Sequence, residues 1–223
     1  MSRLRKLFFS LSAVGILAFV SATAHADTIT VVGVGSGNAS TATVVCDFNA
    51  ATNTFTFTIT NTSNITSPGS TSTITGIGFD LPPTGNANKD GLNGFTGMQA
   101  PSMTSTFDFS DGDLGNVPSG FNNVVLDFGF TTGPSGNFNG GSPNDGLAPG
   151  ESASFIVTGA AFTGFTGEQI CNAIFVRFQN TPVTGSDVGV PGTSQVPEPS
   201  TMLLLGTALV GLGGIIRRRR KRQ

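Results

Sequence analysis

The segment Thr54-Phe55-Thr56-Phe57-Thr58-Ile59-Thr60 alternates strictly between threonine and a large apolar side chain. Along an extended strand successive side chains point to opposite faces, so Phe55, Phe57 and Ile59 share one face and the four threonines the other. A helix would scatter the same three apolar residues around its axis, because its period is 3.6 rather than 2. The apolar face must therefore enter a core. Comparable runs, set off by clusters of Gly, Ser, Asn and Pro, occupy residues 29–34, 42–48, 71–81, 105–109, 123–130, 152–159 and 173–178. Strands at this spacing, without helical patterns between them, predict an all-β domain over residues 27–180, a β-sandwich of two packed sheets of jelly-roll or Ig-like kind. Pro149-Gly150 supplies a turn just ahead of the strand that carries Phe155 and Val157. Residues 82–103 and 131–146 are rich in Gly, Asn and Pro, which predicts long surface loops, the natural place for a ligand site. Residues 181–195 carry too few large apolar side chains to build a core and are expected to form a flexible linker.

Both ends of the chain have a different character. Arg3, Arg5 and Lys6 precede an apolar run over residues 7–20, and Ala24-His25-Ala26 follows. Basic, apolar and small-residue regions in that order specify a secretory signal peptide, residues 1–26, cut by signal peptidase between Ala26 and Asp27; a buried N-terminal helix explains the order less well. No cysteine follows the apolar run, and Arg3 and Arg5 are not adjacent, so neither a lipidated N-terminus nor a twin-arginine signal is indicated.

At the other end stand Val196-Pro197-Glu198-Pro199-Ser200, an uncharged and mostly apolar run over residues 201–216, and the basic block Arg217-Arg218-Arg219-Arg220-Lys221-Arg222. As a transmembrane helix the apolar run would be about 24 Å long, slightly short of a hydrocarbon core of roughly 30 Å. It can span with local thinning and snorkelling of its arginines. The basic tail then stays in the cytoplasm and the body lies across the membrane. Motif, glycine-rich apolar run and basic tail together, residues 196–223, resemble the PEP-CTERM sorting signal of exosortase substrates. The resemblance implies that an exosortase-like membrane protease cuts at or near the Pro-Glu-Pro motif. The body would then pass from a transient inner-membrane anchorage to the cell surface or an extracellular polysaccharide matrix. A permanent single-span anchor is the alternative. The body is also similar to β-rich exported proteins bearing this tail, through residues 76–82 and 176–179, a likeness that implies no defined activity.

Between Asp27 and Gln195 twelve Asp and Glu face only Lys89 and Arg177, a net charge of −10. Such a body repels phosphate backbones, so nucleic-acid binding is not expected. The single histidine, His25, is lost with the signal peptide, and the chain has neither Trp nor Tyr. A Ser-His-Asp or Cys-His site and an imidazole zinc site are thereby excluded from the mature chain, and only Phe is left to stack on sugars. No nucleophile and base pair can be named, so no enzyme is expected.

No cofactor is expected either, calcium being the one ion whose ligand types are present. Asp108, Asp111 and Asp113 lie in one short segment, with Asp90 and Asp145 elsewhere, and calcium takes six to eight oxygen ligands. Thr54, Thr56, Thr58 and Thr60 should form an outward row, and Thr71, Thr73 and Thr75 a second. Regular rows of this kind can match a repeating surface, although threonine is also an ordinary outward residue on exposed strands. Cys46 and Cys171 are the only thiols, and an oxidising compartment favours their pairing. Strand alternation is an objection, because Cys171 shares its phase with Arg177 rather than with Ile174 and Val176. The reading is a non-catalytic surface or matrix protein, structural or adhesive; the alternative is a carbohydrate-binding or ice-binding module.

Overall fold

A computed structural model describes residues 26–64, 69–82, 92–102, 105–115, 124–133, 137–138 and 141–192. Among these, ten strands follow one another: β1 Asp27–Gly33, β2 Gly37–Asn49, β3 Thr54–Asn61, β4 Thr73–Phe79, β5 Phe95–Gln99, β6 Asp108–Leu114, β7 Leu126–Thr131, β8 Ser152–Gly159, β9 Ile174–Thr181 and β10 Gly185–Pro191. A short 3-10 turn, Ala160–Phe162, and one helix, α1 Gly167–Asn172, stand between β8 and β9. The body is all-β, as the alternation requires.

The division into two sheets is corrected. All ten strands join a single sheet of order β5-β8-β3-β2-β1-β10-β9-β4-β7-β6. Its halves fold over one another so that phenylalanines meet across the core. Phe57 of β3 lies 5.1 Å from Phe79 of β4 and 6.0 Å from Phe130 of β7, and Phe155 of β8 lies 4.5 Å from Phe130 between ring centroids. Rings at these separations add about 0.5 to 1.5 kcal/mol per pair beyond the area they bury. The halves are continuous because residues 185–191, expected as linker, form β10 and pair with both β1 and β9. Thr181, too, belongs to β9. β10 is poor in large side chains, and its Val188 is buried in an apolar cluster with Leu114, Leu126 and Phe138.

On the opposite side the outermost strands, β5 and β6, approach each other and are bridged by side chains. The Asp111 carboxylate accepts from the N–H groups of Gly94 and Phe95, each at 3.0 Å. The Gln99 amide accepts from Phe107 N–H at 2.8 Å and donates to the Ser105 carbonyl at 3.2 Å. The sheet thus becomes nearly a closed barrel, with its edges occupied. β5 itself was expected to be loop, within residues 82–103; Phe95 alone of its side chains is buried, too little alternation to mark a strand.

Residues 131–146 are also more than a surface loop. Thr132 N–H donates to the Thr75 carbonyl at 3.0 Å, and Leu147 and Ile74 exchange two backbone hydrogen bonds of 3.0 Å. Phe138 is fully buried against the outer side of β4. A Cβ at Gly78 would stand 2.6 Å from Leu126 and 3.0 Å from the Phe138 ring, which glycine alone avoids, and one at Gly76 would stand 3.3 Å from that ring, a tight fit. With Leu114, Leu126 and Val188, Phe138 makes a second small apolar cluster outside the sheet. Both faces of β4 are consequently buried.

Cys46 of β2 and Cys171 of α1 are joined, 125 positions apart in sequence with Cα atoms 6.1 Å apart. The objection from strand alternation lapses because Cys171 sits on a helical turn and β9 starts only at Ile174. The turn carries a capping box: Thr166 Oγ1 accepts from Gln169 N–H at 3.2 Å, and Gln169 Oε1 accepts from Thr166 N–H at 2.9 Å. Closing so long a loop contributes up to about 4 to 5 kcal/mol in the chain-entropy account.

Candidate functional site

Among the described residues, none covers the outer side of the half-sheet β5-β8-β3-β2-β1. Register sets Thr54, Thr56, Thr58 and Thr60 of β3 opposite Thr158, Ile156, Ser154 and Ser152 of β8. On the other flank they stand opposite Asn49, Asp47, Val45 and Thr43 of β2. Thr96 and Met98 of β5 and Thr28 and Thr30 of β1 extend the ranks. Strands about 4.8 Å apart, with outward residues every 6.8 Å or so along each, make this a two-dimensional grid of hydroxyls and methyls. Neighbouring hydroxyls bond across it: Thr58 to Ser154 at 2.8 Å, Thr60 to Ser152 at 2.7 Å and Thr96 to Thr158 at 2.8 Å. Met98 (63% exposed), Val45 (41%) and Ile156 (38%) give the grid apolar points. Among the described residues Asp47 is the one charge these strands turn outward. The first threonine row is therefore where alternation places it.

The second row is corrected. Thr73 and Thr75 are buried, with Thr132, Gly141 and Gly146 against them, and Thr71 spends its hydroxyl on Thr73 at 2.8 Å.

The acidic residues are dispersed. Asp108, Asp111 and Asp113 belong to strand β6 rather than a loop, and successive strand side chains diverge. Asp111 is engaged at the β5–β6 seam, Asp108 and Asp145 are exposed, and Asp90 and the side chain of Asp113 lie outside the described residues. Among the described residues no three potential ligands cluster around a point. Two further carboxylates, unnoticed in the sequence, clasp backbone in the same way as Asp111. Buried Asp127 accepts from Leu81 N–H at 2.8 Å and Leu92 N–H at 2.6 Å. Asp187 accepts from Gly35 N–H at 3.0 Å and Ser36 N–H at 2.6 Å, fixing β10 to the β1–β2 turn. Carboxylates that accept several N–H groups replace ladder bonds where strands end.

Arg177 is 5% exposed, and its Nε and Nη1 have no hydrogen-bond partner. Burial holds the guanidinium below its ordinary pKa; it nonetheless remains charged at neutral pH. It lies on the covered face, opposite Gly76 of β4 and Val188 of β10.

A cleft of about 510 Å³ opens beside α1 between Asp80, Leu81, Glu168, Gln169 and Asn172. Every described Phe is buried or half-buried, so among the described residues no fully exposed ring offers a platform for a sugar.

Of the processing sites, Ala26 is exposed and Asp27 begins β1. Ala24, the motif Val196 to Ser200, the apolar run and the tail Arg217 to Arg222 lie outside the described residues. Among those described, no helix is long and apolar enough to cross a membrane. Residues 195–221 match the family model of the PEP-CTERM protein-sorting motif. The C-terminal segment is a PEP-CTERM sorting signal. Such a signal implies export, transient membrane anchoring through the tail, and processing by an exosortase-like membrane enzyme. No curated protein and no solved structure matches the chain.

Proposed function

We propose that the chain is a non-catalytic surface or extracellular-matrix protein, structural or adhesive, delivered by its PEP-CTERM signal. The observation that carries this reading is the sorting motif at residues 195–221 behind an all-β body whose outer grid is uncharged save for Asp47. In it the signal peptide, residues 1–26, is removed first, the run 201–216 spans the inner membrane, and the basic tail holds the intermediate in place. Glu198 lies outside the apolar run, and the flanking prolines keep it extended, a conformation that a protease cleft accepts. Glu198→Ala should leave the protein inserted and uncut in a host that has the sorting enzyme. Cell fractionation checks this, and release of the variant at the wild-type rate would favour a permanent anchor.

The register of the hydroxyl grid favours a second reading, a carbohydrate-binding or ice-binding module with exopolysaccharide as the natural partner. A glycan array with and without calcium, and an ice-recrystallisation assay on the mature body, separate the two. A hit supports a binding module, and silence in both a structural role.

A further inference from the structure

The two outer sides of the folded sheet differ in their apolar residues. Over β4 the molecule supplies its own cover, with Phe138 packed among Leu114, Leu126 and Val188. On the side formed by β5-β8-β3-β2-β1 stand Met98, Ile156 and Val45, three of the five large apolar side chains that are exposed among the described residues. They are neighbours rather than scattered. Met98 is opposite Ile156 in register, Ile156 is opposite Thr56, and Val45 is opposite Thr58, the next outward position along β3. The apolar line thus runs across the face from β5 to β2.

Charge singles out the same face. Between Asp27 and Gln195 twelve acidic residues stand against two basic ones, a net charge of −10, so two copies of the body repel one another in most orientations. Of the described acidic side chains only Asp47 is turned outward here, and it stands at the rim, because β1 begins opposite Cys46. Two copies therefore meet at the least electrostatic cost through this face. Its hydroxyls are also partly satisfied from within: Thr58 bonds to Ser154, Thr60 to Ser152 and Thr96 to Thr158. Covering such groups leaves few of them unpaired, which favours a partner that offers methyls and its own paired hydroxyls over a sugar, whose free hydroxyls each need a donor or acceptor. Five strands about 4.8 Å apart and some seven residues long give a face of roughly 600 Å² in plan. That is the scale of a small specific interface, about 600 Å² per partner.

We propose that this face binds a second copy of the chain, which packs its own β5-β8-β3-β2-β1 side against it around a two-fold axis, as the layers of a sandwich pack. One patch then serves both partners, the apolar lines cross at the centre, and each Asp47 stays at the solvated rim. The proposal rests on the structural or adhesive reading and names its partner. Copies gathered on one surface hold one another, and a small contact suffices because many are made at once.

The test uses the full chain, co-expressed as two differently tagged copies in a host that exports it. A photo-cross-linking residue replaces Ile156 on the face, or Val183 in the exposed turn between β9 and β10. A gel shift on reduction confirms that each variant has formed its disulfide. Adduct joining the two tags should be at least about tenfold more abundant from position 156 than from 183, since the contact buries the first and leaves the second in water. Thr58→Glu in both copies should cut the adduct from 156 about tenfold through like-charge repulsion, and pairing a Thr58→Glu copy with a Thr58→Lys copy should restore it. Equal yields from 156 and 183, a yield that Thr58→Glu leaves unchanged, or a mixed pair no better than the Glu pair would overturn the proposal. A glycan array on the purified full chain tells the failures apart. Absence of the adduct with a silent array sinks the second copy alone, whereas absence of the adduct with a glycan bound sinks the structural reading with it.

Discussion

β3 and β4 are similar in sequence: each mixes Thr with Ile and Phe, and each faces the same core through its apolar residues. Their outer sides differ completely. Thr54, Thr56, Thr58 and Thr60 of β3 are half-exposed, whereas Thr73 and Thr75 of β4 are buried. What separates them is that Thr132, Phe138, Gly141 and Gly146 lie over β4, whereas none of the described residues covers β3 in this way. Gly76 and Gly78 make the room and Phe138 fills it. An exposed threonine row is therefore a property of what fails to cover a strand as much as of the strand itself.

The comparison can be broken most severely at Thr75. Thr75→Lys would force an ammonium beneath the covering segment, and the cost of burying an unpaired charge exceeds what a domain of ordinary stability can absorb. The mature variant should fail to accumulate as folded, disulfide-bonded protein. If it instead unfolds in urea like the wild type, the cover over β4 is absent in solution.

Phe138→Ala keeps the covering backbone and empties its apolar contact. Stability should fall by about 3 to 5 kcal/mol, the range for deleting a fully buried aromatic ring. Urea unfolding with the disulfide intact measures it, and a loss below about 1 kcal/mol would mean that the second cluster is not packed.

Arg177 tests the same face from below. Its guanidinium is buried with two nitrogens unpartnered, so the charge is a cost that the cover imposes. Arg177→Met, similar in length and uncharged, should raise stability by about 1 to 4 kcal/mol, the gain seen when buried ionic groups give way to apolar ones. A fall in the midpoint would show that the guanidinium is satisfied.

The smallest effect belongs to the bare side. Thr56→Lys places the same ammonium on β3 that Thr75→Lys places on β4, yet there it reaches water beside Asp47, its partner in register. The change in stability should stay within about 0.5 kcal/mol. The same variant sharpens the functional question: a bulky cation in the grid should abolish any glycan or ice binding that depends on it, with the fold unchanged.

Much of this organisation could be read from the chain. The alternation of residues 54–60 marked β3 because one face of that strand is covered and the other is not, the condition under which a period of two becomes visible. β10 is not legible in Gly-Ser-Asp-Val-Gly-Val-Pro because the segment has no such alternation, and its Val188 is buried by Leu114, Leu126 and Phe138 from distant parts of the chain. α1 is too short to show a helical period, but Thr166 and Gln169 already stood at capping-box spacing. Among the candidate residues, the disulfide pair was legible from compartment and count, whereas the clasping roles of Asp111, Asp127 and Asp187 depend on backbone N–H groups far away in sequence.

By itself the sequence determined the all-β class, the acidic body and the sorting signal. All of these are local in the chain: a period, a composition, or a linear motif. Tertiary structure alone decided that the strands form one sheet rather than two and that one threonine row meets solvent while the other is buried. Those outcomes turn on which distant segments pair and cover one another, and a strand's own residues record how many of its faces are apolar without naming what lies against them.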